Sequence, residues 1–326
     1  GFTDLYFSRG VTYFLAQRFE DAVKDFDNVN PILIEGDVVD WLKDNAAQFK
    51  KAIFISAENN NNLYNITKIL EENDVKTYTS TAEACFKSSD KSESYEALYD
   101  VVPQPRTFRF KIDPKGYWKR AIEHLYEKWQ AEDPLTKLKI IIKPLIGVDC
   151  EDIVIIEDIG DLTLDLDKIF VPGSRVIVQE FIEGTDVSVS LISDGKTAIP
   201  ISLNEQFVEL KDDKGIYLGG KLPFENKYKD EAFEIAKKAV ESIDGLRGFV
   251  GVDLIINADE KDIYSLYLLE INSRFTTPYV GLKQIAGFNI GKTIVDLLDG
   301  EIAIDDIDVS LDGEVEFKKS GDNLEI

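Results

Sequence analysis

A chain of 326 residues, 44% hydrophobic and 30% charged, has the composition of a globular protein with two or three lobes. Its 61 acidic against 37 basic residues give a net charge of −24, a surface that repels nucleic acid and anionic membrane, and no apolar run reaches the roughly 20 residues that cross a bilayer. Two cysteines without metal or disulfide spacing, Cys85 and Cys150, and a single histidine, His124, argue against Ser-His-Asp or Cys-His hydrolysis and His-rich zinc sites.

Residues 1–88 alternate helix and strand signals. Val11–Phe26 reads as an amphipathic helix, Pro31–Ile34 as a short apolar strand and Val38–Phe49 as another helix. Lys51–Ser56 is a buried-type strand, Leu63–Glu72 a helix with Leu63, Ile66 and Leu70 on one side, and Val75–Thr79 a further strand. This is the open α/β pattern, in which ligands sit at the carboxyl ends of strands. The Asn-rich loop Glu58–Asn62 lies at such an end and reads equally as a substrate-facing loop or a turn capping the next helix.

Ser88–Lys91 caps a helix through Tyr95 and Leu98, and Val101–Pro105 breaks it and opens a second lobe. Trp118, Ile122, Leu125 and Trp129 then recur at helical spacing, with His124 off that face. Lys137–Lys143 and Ile153–Ile156 are strands joined through Gly147, a hairpin that with Lys143 could fold over an anion; a lysine at a strand end is otherwise ordinary surface. Arg175–Ile182 is a strand broken at Gly184 and resumed at Val187–Ile192, and Asp194-Gly195 turns it into Thr197–Leu203. Gly219-Gly220-Lys221 reads either as close backbone approach to a ligand beside an ammonium or as a plain turn. Asp230–Ile243 and Leu282–Leu298 are helical, and Asp305–Ile326 reads as an acidic, poorly packed tail.

Between those helices lies the most informative stretch, Gly248–Arg274. Two apolar runs, Phe249–Asn257 and Ile263–Ile271, flank a polar turn, and each carries a carboxylate that its pattern does not predict, Asp253 and Glu270. Alternation along a strand puts Glu270 and Asn272 on one face, where Asp253 can oppose them. With Arg274 following, these oxygen donors point to a hard-cation site beside phosphate.

In this order the pieces resemble an ATP-grasp enzyme over about residues 50–300. Asp90-Lys91 before a helix is similar to the first nucleotide lysine, and Lys143-Pro144 with the Gly147 loop to the second. Gln179-Glu180-Phe181-Ile182, Gly184 and Asp186 resemble the hinge that holds adenine and ribose; Asp253, Glu270 and Asn272 the magnesium ligands; and Arg274 the phosphate-facing arginine. AENNNNLYNITKILE, PISLNEQFVE with YLGG, and GFVGVDLII with LEINSRFTT resemble its archaeal carboxylate–amine ligase branch. Two departures stand out. Asp149 and Asp152 join Gly147 where the family loop is richer in glycine, and Asp186 replaces the more usual Glu.

The resemblance implies an α/β ATP-grasp fold: an N-terminal open α/β domain (1–88), a central lid subdomain (89–178), a C-terminal α+β ATP-grasp subdomain (179–304) and the acidic tail (305–326). It implies amide formation through an acyl phosphate, with glutamate and an amine such as tyramine as one substrate pair. ATP and Mg²⁺, or Mn²⁺ in its place, are the implied cofactors. Gln179 and the backbone at Glu180 and Ile182 would read adenine, Asp186 the ribose, Lys91 and Lys143 the phosphates. Arg274, and less firmly Lys221, would act on the transferred group. Small-molecule partners, a cytoplasmic setting and a homodimer are compatible with this reading. An ATP-grasp carboxylase, another amino-acid ligase, or a nucleotide-binding module without turnover remain alternatives at this stage.

Overall fold

The computed structural model describes residues 3–7, 29–32, 37–56, 58, 61–132, 134, 137–146, 153–163, 170, 173–211, 214–259, 262–320 and 323–326. The helix expected over Val11–Phe26 and the loop at Gly147, Asp149 and Asp152 lie outside these residues. Within them, three sheets organise the chain.

The first sheet is parallel, β2-β1-β3-β4, built from β1 (Thr3–Phe7), β2 (Val29–Ile32), β3 (Lys51–Ile55) and β4 (Lys76–Thr77). Ala52 to Ile55 are all buried, as a parallel strand covered on both faces requires. Helix α1 (Val38–Asn45) precedes β3, and α2 (Asn62–Glu72) forms the crossover to β4. Leu63, Ile66 and Leu70 of α2 pack with Leu42 of α1 and Phe54 of β3. Asn61 precedes α2 at φ 59, a left-handed position that Asn tolerates better than most residues.

Helices α3 (Ala82–Ser89) and α4 (Lys91–Leu98) meet at Asp90, whose carboxylate caps α4 by accepting from the Ser92 and Glu93 N–H groups. The second sheet is antiparallel, β5-β8-β6-β7: β5 (Thr107–Lys111), β6 (Ile140–Pro144), β7 (Val154–Ile156) and β8 (Arg175–Glu180). Helix α5 (Tyr117–Glu132) covers one face with Trp118, Ile122, Leu125 and Trp129, and leaves His124 exposed.

The third sheet has the order β13-β12-β9-β10-β11-β14-β15. Its strands are β9 (Gly184–Asp194), β10 (Ala198–Lys211), β11 (Lys214–Leu222), β12 (Arg247–Asn257), β13 (Leu266–Asn272), β14 (Val315–Ser320) and β15 (Asn323–Glu325). Helix α6 (Lys229–Glu241) packs on one face against Val189, Val252 and Leu254. Helices α7 (Pro278–Ile285) and α8 (Ile290–Asp299) pack on the other, with Phe249, Leu222 and Phe317.

Two expectations fail at the sheet's far edge. The C-terminal stretch is not a loose tail: β14 pairs with β11, and Phe317 is 1% exposed. Burying that ring contributes about 2–3 kcal/mol, which its charged neighbours obscure in composition. Gly219-Gly220 is strand, not turn, and the close approach it permits is to the neighbouring strands β14 and β10, the Glu205 carbonyl oxygen lying 2.4 Å from where a Cβ on Gly220 would stand. A Cβ on Gly219 would stand 2.1 Å from the Phe317 carbonyl oxygen, and one on Gly220 3.1 Å from its ring.

The first and third bodies are clasped at Asp299, the last residue of α8. Its carboxylate accepts from Lys51 and Lys76 Nζ at 2.6 Å and from Tyr78 OH at 3.0 Å. Burial pushes this carboxyl up, but the Lys51, Lys76 and Tyr78 hydrogen bonds outweigh it and hold the pKa down at about 2. A depressed folded pKa stabilises above the unfolded value near 3.8 and loses that contribution as pH falls toward 2. Asp299→Asn should therefore cost roughly 1–2 kcal/mol at pH 7 after solvent screening, in denaturant melts. The gap to the parent should shrink in melts run from pH 4 toward pH 2. Equal stability of the two proteins at pH 7 would count against the clasp.

Candidate active site

Between the second and third sheets lies a cavity of about 550 Å³. The strands pass from one sheet to the other through residues 181–183, so β8 and β9 form a continuous wall with a hinge in it. Ile141, Ile153 and Ile155 line the cavity from the second sheet, and Ile255 and Leu269 from the third. Lys91, Lys143, Asp253 and Glu270 line it as well. An apolar slot beside paired ammonium and carboxylate groups is the shape and charge of a nucleoside polyphosphate with its cation.

The carboxylates come from the hairpin of β12 and β13. Asp253 and Glu270 are direct cross-strand partners, Asn272 faces Gly251, and a bulge follows between Asp253 and Leu254. That bulge swings Leu269 to the cavity while keeping Glu270 there. Gln206 Nε2 donates to one Asp253 oxygen at 3.0 Å and Asn272 Nδ2 to the other at 2.9 Å. Burial and the Glu270 charge still push the Asp253 carboxyl up to about 7. Burial also pushes Glu270 up, but Lys91, Lys143 and Arg274 outweigh it and its pKa is lowered. Lys91 Nζ sits 3.1 Å from Glu270, carried there by the first turn of α4, and the Lys91 N–H donates to the Leu145 carbonyl.

Among the described residues, no group of three His, Cys, Asp or Glu could hold a metal ion. The donor set facing the cavity is two carboxylates, hard oxygen ligands of the kind that hold Mg²⁺ together with substrate phosphates, while the Asn272 amide turns its oxygen to Arg274 and its nitrogen to Asp253. The residues fit: a divalent cation between Asp253 and Glu270 would relieve the like-charge contact that raises Asp253.

On the second sheet, Lys143 near the end of β6 donates to Gln179 Oε1 at 3.0 Å, while Gln179 Nε2 donates to Thr107 Oγ1 at 2.9 Å. The Gln179 side chain thus aims Lys143. The Glu180 side chain is bound by Arg106 through two hydrogen bonds of 2.8 and 2.7 Å, and Arg106 lies 5.2 Å over the Trp129 ring. The Glu180 N–H is given to the Arg106 carbonyl and the Phe181 N–H to that of Lys139, so neither can also serve a base. Glu180, Phe181 and Ile182 all line the cavity, as does Asp186 across it. Burial raises the Asp186 carboxyl and Lys143 pulls it the other way.

The fold thus gathers Lys91, Lys143, Gln179, Glu180, Phe181, Ile182, Asp186, Asp253 and Glu270 around one cavity. Asn272 and Arg274 stand behind Asp253, with Arg274 Nη2 donating to Asn272 Oδ1 at 3.2 Å. Gly147 is outside the described residues. Lys221 is the exception. It pairs across strands with Glu205, whose neighbour Gln206 faces the cavity, so Lys221 points to the opposite face, 3.0 Å from Glu314. Gln206, Lys139, Thr107 and Arg106 are not among the site residues expected from the sequence, and Glu58 enters there only as the first residue of the Glu58–Asn62 loop. Of these, Glu58 alone carried a signal, its place just beyond β3.

The ATP-grasp domain family matches residues 88–278, more than half of the chain. The chain belongs to the ATP-grasp family. It is 35% identical over 279 residues to the tyramine–L-glutamate ligase of Methanocaldococcus fervens, covering 84% of this chain and 76% of that protein. It is 32% identical over 273 residues to the enzyme of the same name from Methanocaldococcus jannaschii, covering 82% and 71%. An ATP-grasp superfamily protein from Archaeoglobus fulgidus shares the fold with a TM-score of 0.67 at 24% identity, over 98% of this chain and 93% of that one. The protein is an ATP-dependent ligase that joins a carboxylate to an amine. None of the helices is long and apolar enough to cross a membrane, among the described residues.

Proposed function

We propose that this ligase joins L-glutamate to tyramine. The observation that carries the reading is the 35% identity to a tyramine–L-glutamate ligase across three quarters of that protein's length. The cavity supports it by combining an apolar slot with Lys91, Lys143 and two facing carboxylates.

A free carboxylate is a poor acylating group, so it must first gain a leaving group. The glutamate carboxylate oxygen attacks the γ-phosphorus of ATP, the bond to ADP breaks, and an acyl phosphate forms. The tyramine nitrogen then attacks the acyl carbon; the C–O bond to phosphate breaks, and the nitrogen loses a proton to solvent. Positioning and charge neutralisation carry most of such catalysis. Lys143, held by Gln179, and Lys91, held by Glu270, present their ammonium groups to the phosphates. Arg274, held behind Asp253 by Glu58 and Asn272, would act on the transferred group from that side. Asp186 takes the ribose hydroxyls, and Gln179, Phe181 and Ile182 border the base. Asp253 and Glu270 would hold Mg²⁺, which when bound supplies charge neutralisation on the phosphates, whereas the Asn272 oxygen, expected to join them, is given to Arg274. A cytoplasmic setting belongs to the same proposal.

A screen of amines crossed against carboxylates, read by ADP release, tests it. Turnover is expected only when tyramine and glutamate are both present. Bicarbonate-dependent turnover would make the protein a carboxylase instead, and nucleotide binding without ADP release would make it a regulatory module.

A further inference from the structure

The first body contributes a side chain to the cation end of the site. Glu58 lies just past β3, at the carboxyl end of a parallel strand, and is 5% exposed. Both of its oxygens accept from Arg274 Nε at 2.8 Å. Arg274 Nη1 donates to the Phe275 carbonyl at 3.3 Å and Nη2 to Asn272 Oδ1 at 3.2 Å. Asn272 in turn donates through Nδ2 to Asp253, whose second oxygen accepts from Gln206. A line of contacts thus runs from Glu58 through Arg274, Asn272 and Asp253 to Gln206.

The direction of that line is fixed by what each group can do. A guanidinium has only donors and an ionised carboxylate only acceptors. Asn272 must therefore turn its oxygen toward Arg274 and its nitrogen toward Asp253. Whatever holds Arg274 also decides which atom Asn272 shows to the carboxylate pair. Glu58 holds Arg274 through its Nε, and the two Nη contacts add to the orientation of the guanidinium plane.

A clasp between bodies is not a sufficient account of this pair. The same two bodies are already joined by Lys51 and Lys76 on Asp299, and by Arg247 to the Thr79 carbonyl and Thr77 Oγ1. Those clasps lie away from the cavity. A deeply buried carboxylate is a costly way to add another, because both charges lose water.

We propose that Glu58 is a positioning residue for phosphoryl transfer, which aims Arg274 and, through it, fixes the amide of Asn272 against Asp253. This rests on the reading that Arg274 acts on the transferred group. It also makes the first body a working part of the transfer site.

The test compares the parent with Glu58→Gln, Glu58→Asp, Arg274→Gln and the Glu58→Gln/Arg274→Gln pair, with Arg274→Lys as the background if Arg274→Gln does not fold. Melting temperature, ADP affinity by calorimetry, and ADP formation with and without amine are measured for each. Misaiming a group by about an ångström costs up to about 100-fold in rate, so Glu58→Gln is expected to lower kcat about 10- to 100-fold. ADP affinity and melting temperature should stay near the parent, Glu58→Asp should recover part of the loss, and Glu58→Gln should cost little more on the Arg274 background. An unchanged kcat, a multiplicative loss on that background, or a loss that only tracks melting temperature would overturn the proposal. Failure of tyramine and glutamate to support turnover would instead count against the substrate reading, and the cycle is then read with whichever amine and carboxylate pair releases ADP in the screen.

Discussion

Glu270→Gln is expected to reduce ADP formation at least 100-fold while leaving the fold in place. The size follows from loosening the cation that offsets phosphate charge, since losing one group that stabilises developing charge is typically worth about 10²–10³ in rate. The fold should survive because Gln has nearly the same shape and escapes the burial that works against the carboxylate. Lys91 loses its 3.1 Å partner, a modest cost that should shift the melting temperature by only about 2–4 °C. The substitution also removes the like charge that helps push Asp253 up to about 7, so Asp253 should ionise more readily in the variant. Asp253 alone then remains as an anionic donor, and that is the point of the test: a single carboxylate does not replace the pair. Coupled ADP release and a melting curve on the same preparation decide the matter. Near-parental ADP formation would falsify the assignment of Glu270 to the cation.

The same hairpin shows why part of the site was legible in the sequence. Asp253 and Glu270 interrupt runs that are otherwise apolar, and an interruption in a strand pattern is a local signal. Lys143 was legible for a related reason, ending the run Ile140–Ile142 before Pro144. The hinge was readable through Gly184, where a Cβ would lie 1.9 Å from the Ile256 carbonyl oxygen. What failed to show was set by contacts between distant segments. Glu58 and Arg274 are 216 positions apart, and nothing near either residue names the other. Gln206 is visible only once β10 lies next to β9 and brings it to Asp253. Gly219-Gly220 misled in the opposite direction. Gly219 answers to the backbone of β14, nearly a hundred residues later, and Gly220 to that of β10, and composition cannot distinguish those demands from a ligand's. Lys221 followed it into error, because strand alternation turns it away from the cavity.

The second large effect is expected at Lys143, whose replacement by alanine should raise the KM for ATP roughly 10- to 150-fold, the range for losing one hydrogen bond to a charged partner. Lys143 occupies the point where several demands meet. Its ammonium is held at 3.0 Å by Gln179, itself anchored to Thr107, so the charge is pre-aimed across β6, β8 and β5 before any phosphate arrives. The same charge draws down the pKa of both Asp186 and Glu270. In Lys143→Ala the Asp186 carboxyl, already raised by burial, should rise further. As a protonated acid it loses half of its capacity to accept ribose hydroxyls. The defect should accordingly deepen as pH falls, because a raised pKa leaves more of the neutral form at low pH, and recover partly as pH rises. Lys143→Arg keeps the charge but exchanges a compact ammonium for a planar fork, and should fall between the two. ATP KM and calorimetric ADP affinity, each followed as the pH is lowered from neutral to the limit at which the fold holds, separate the contributions. A loss that stays constant over that range would assign the effect to the phosphates, whereas a KM within twofold of the parent would remove Lys143 from the nucleotide site.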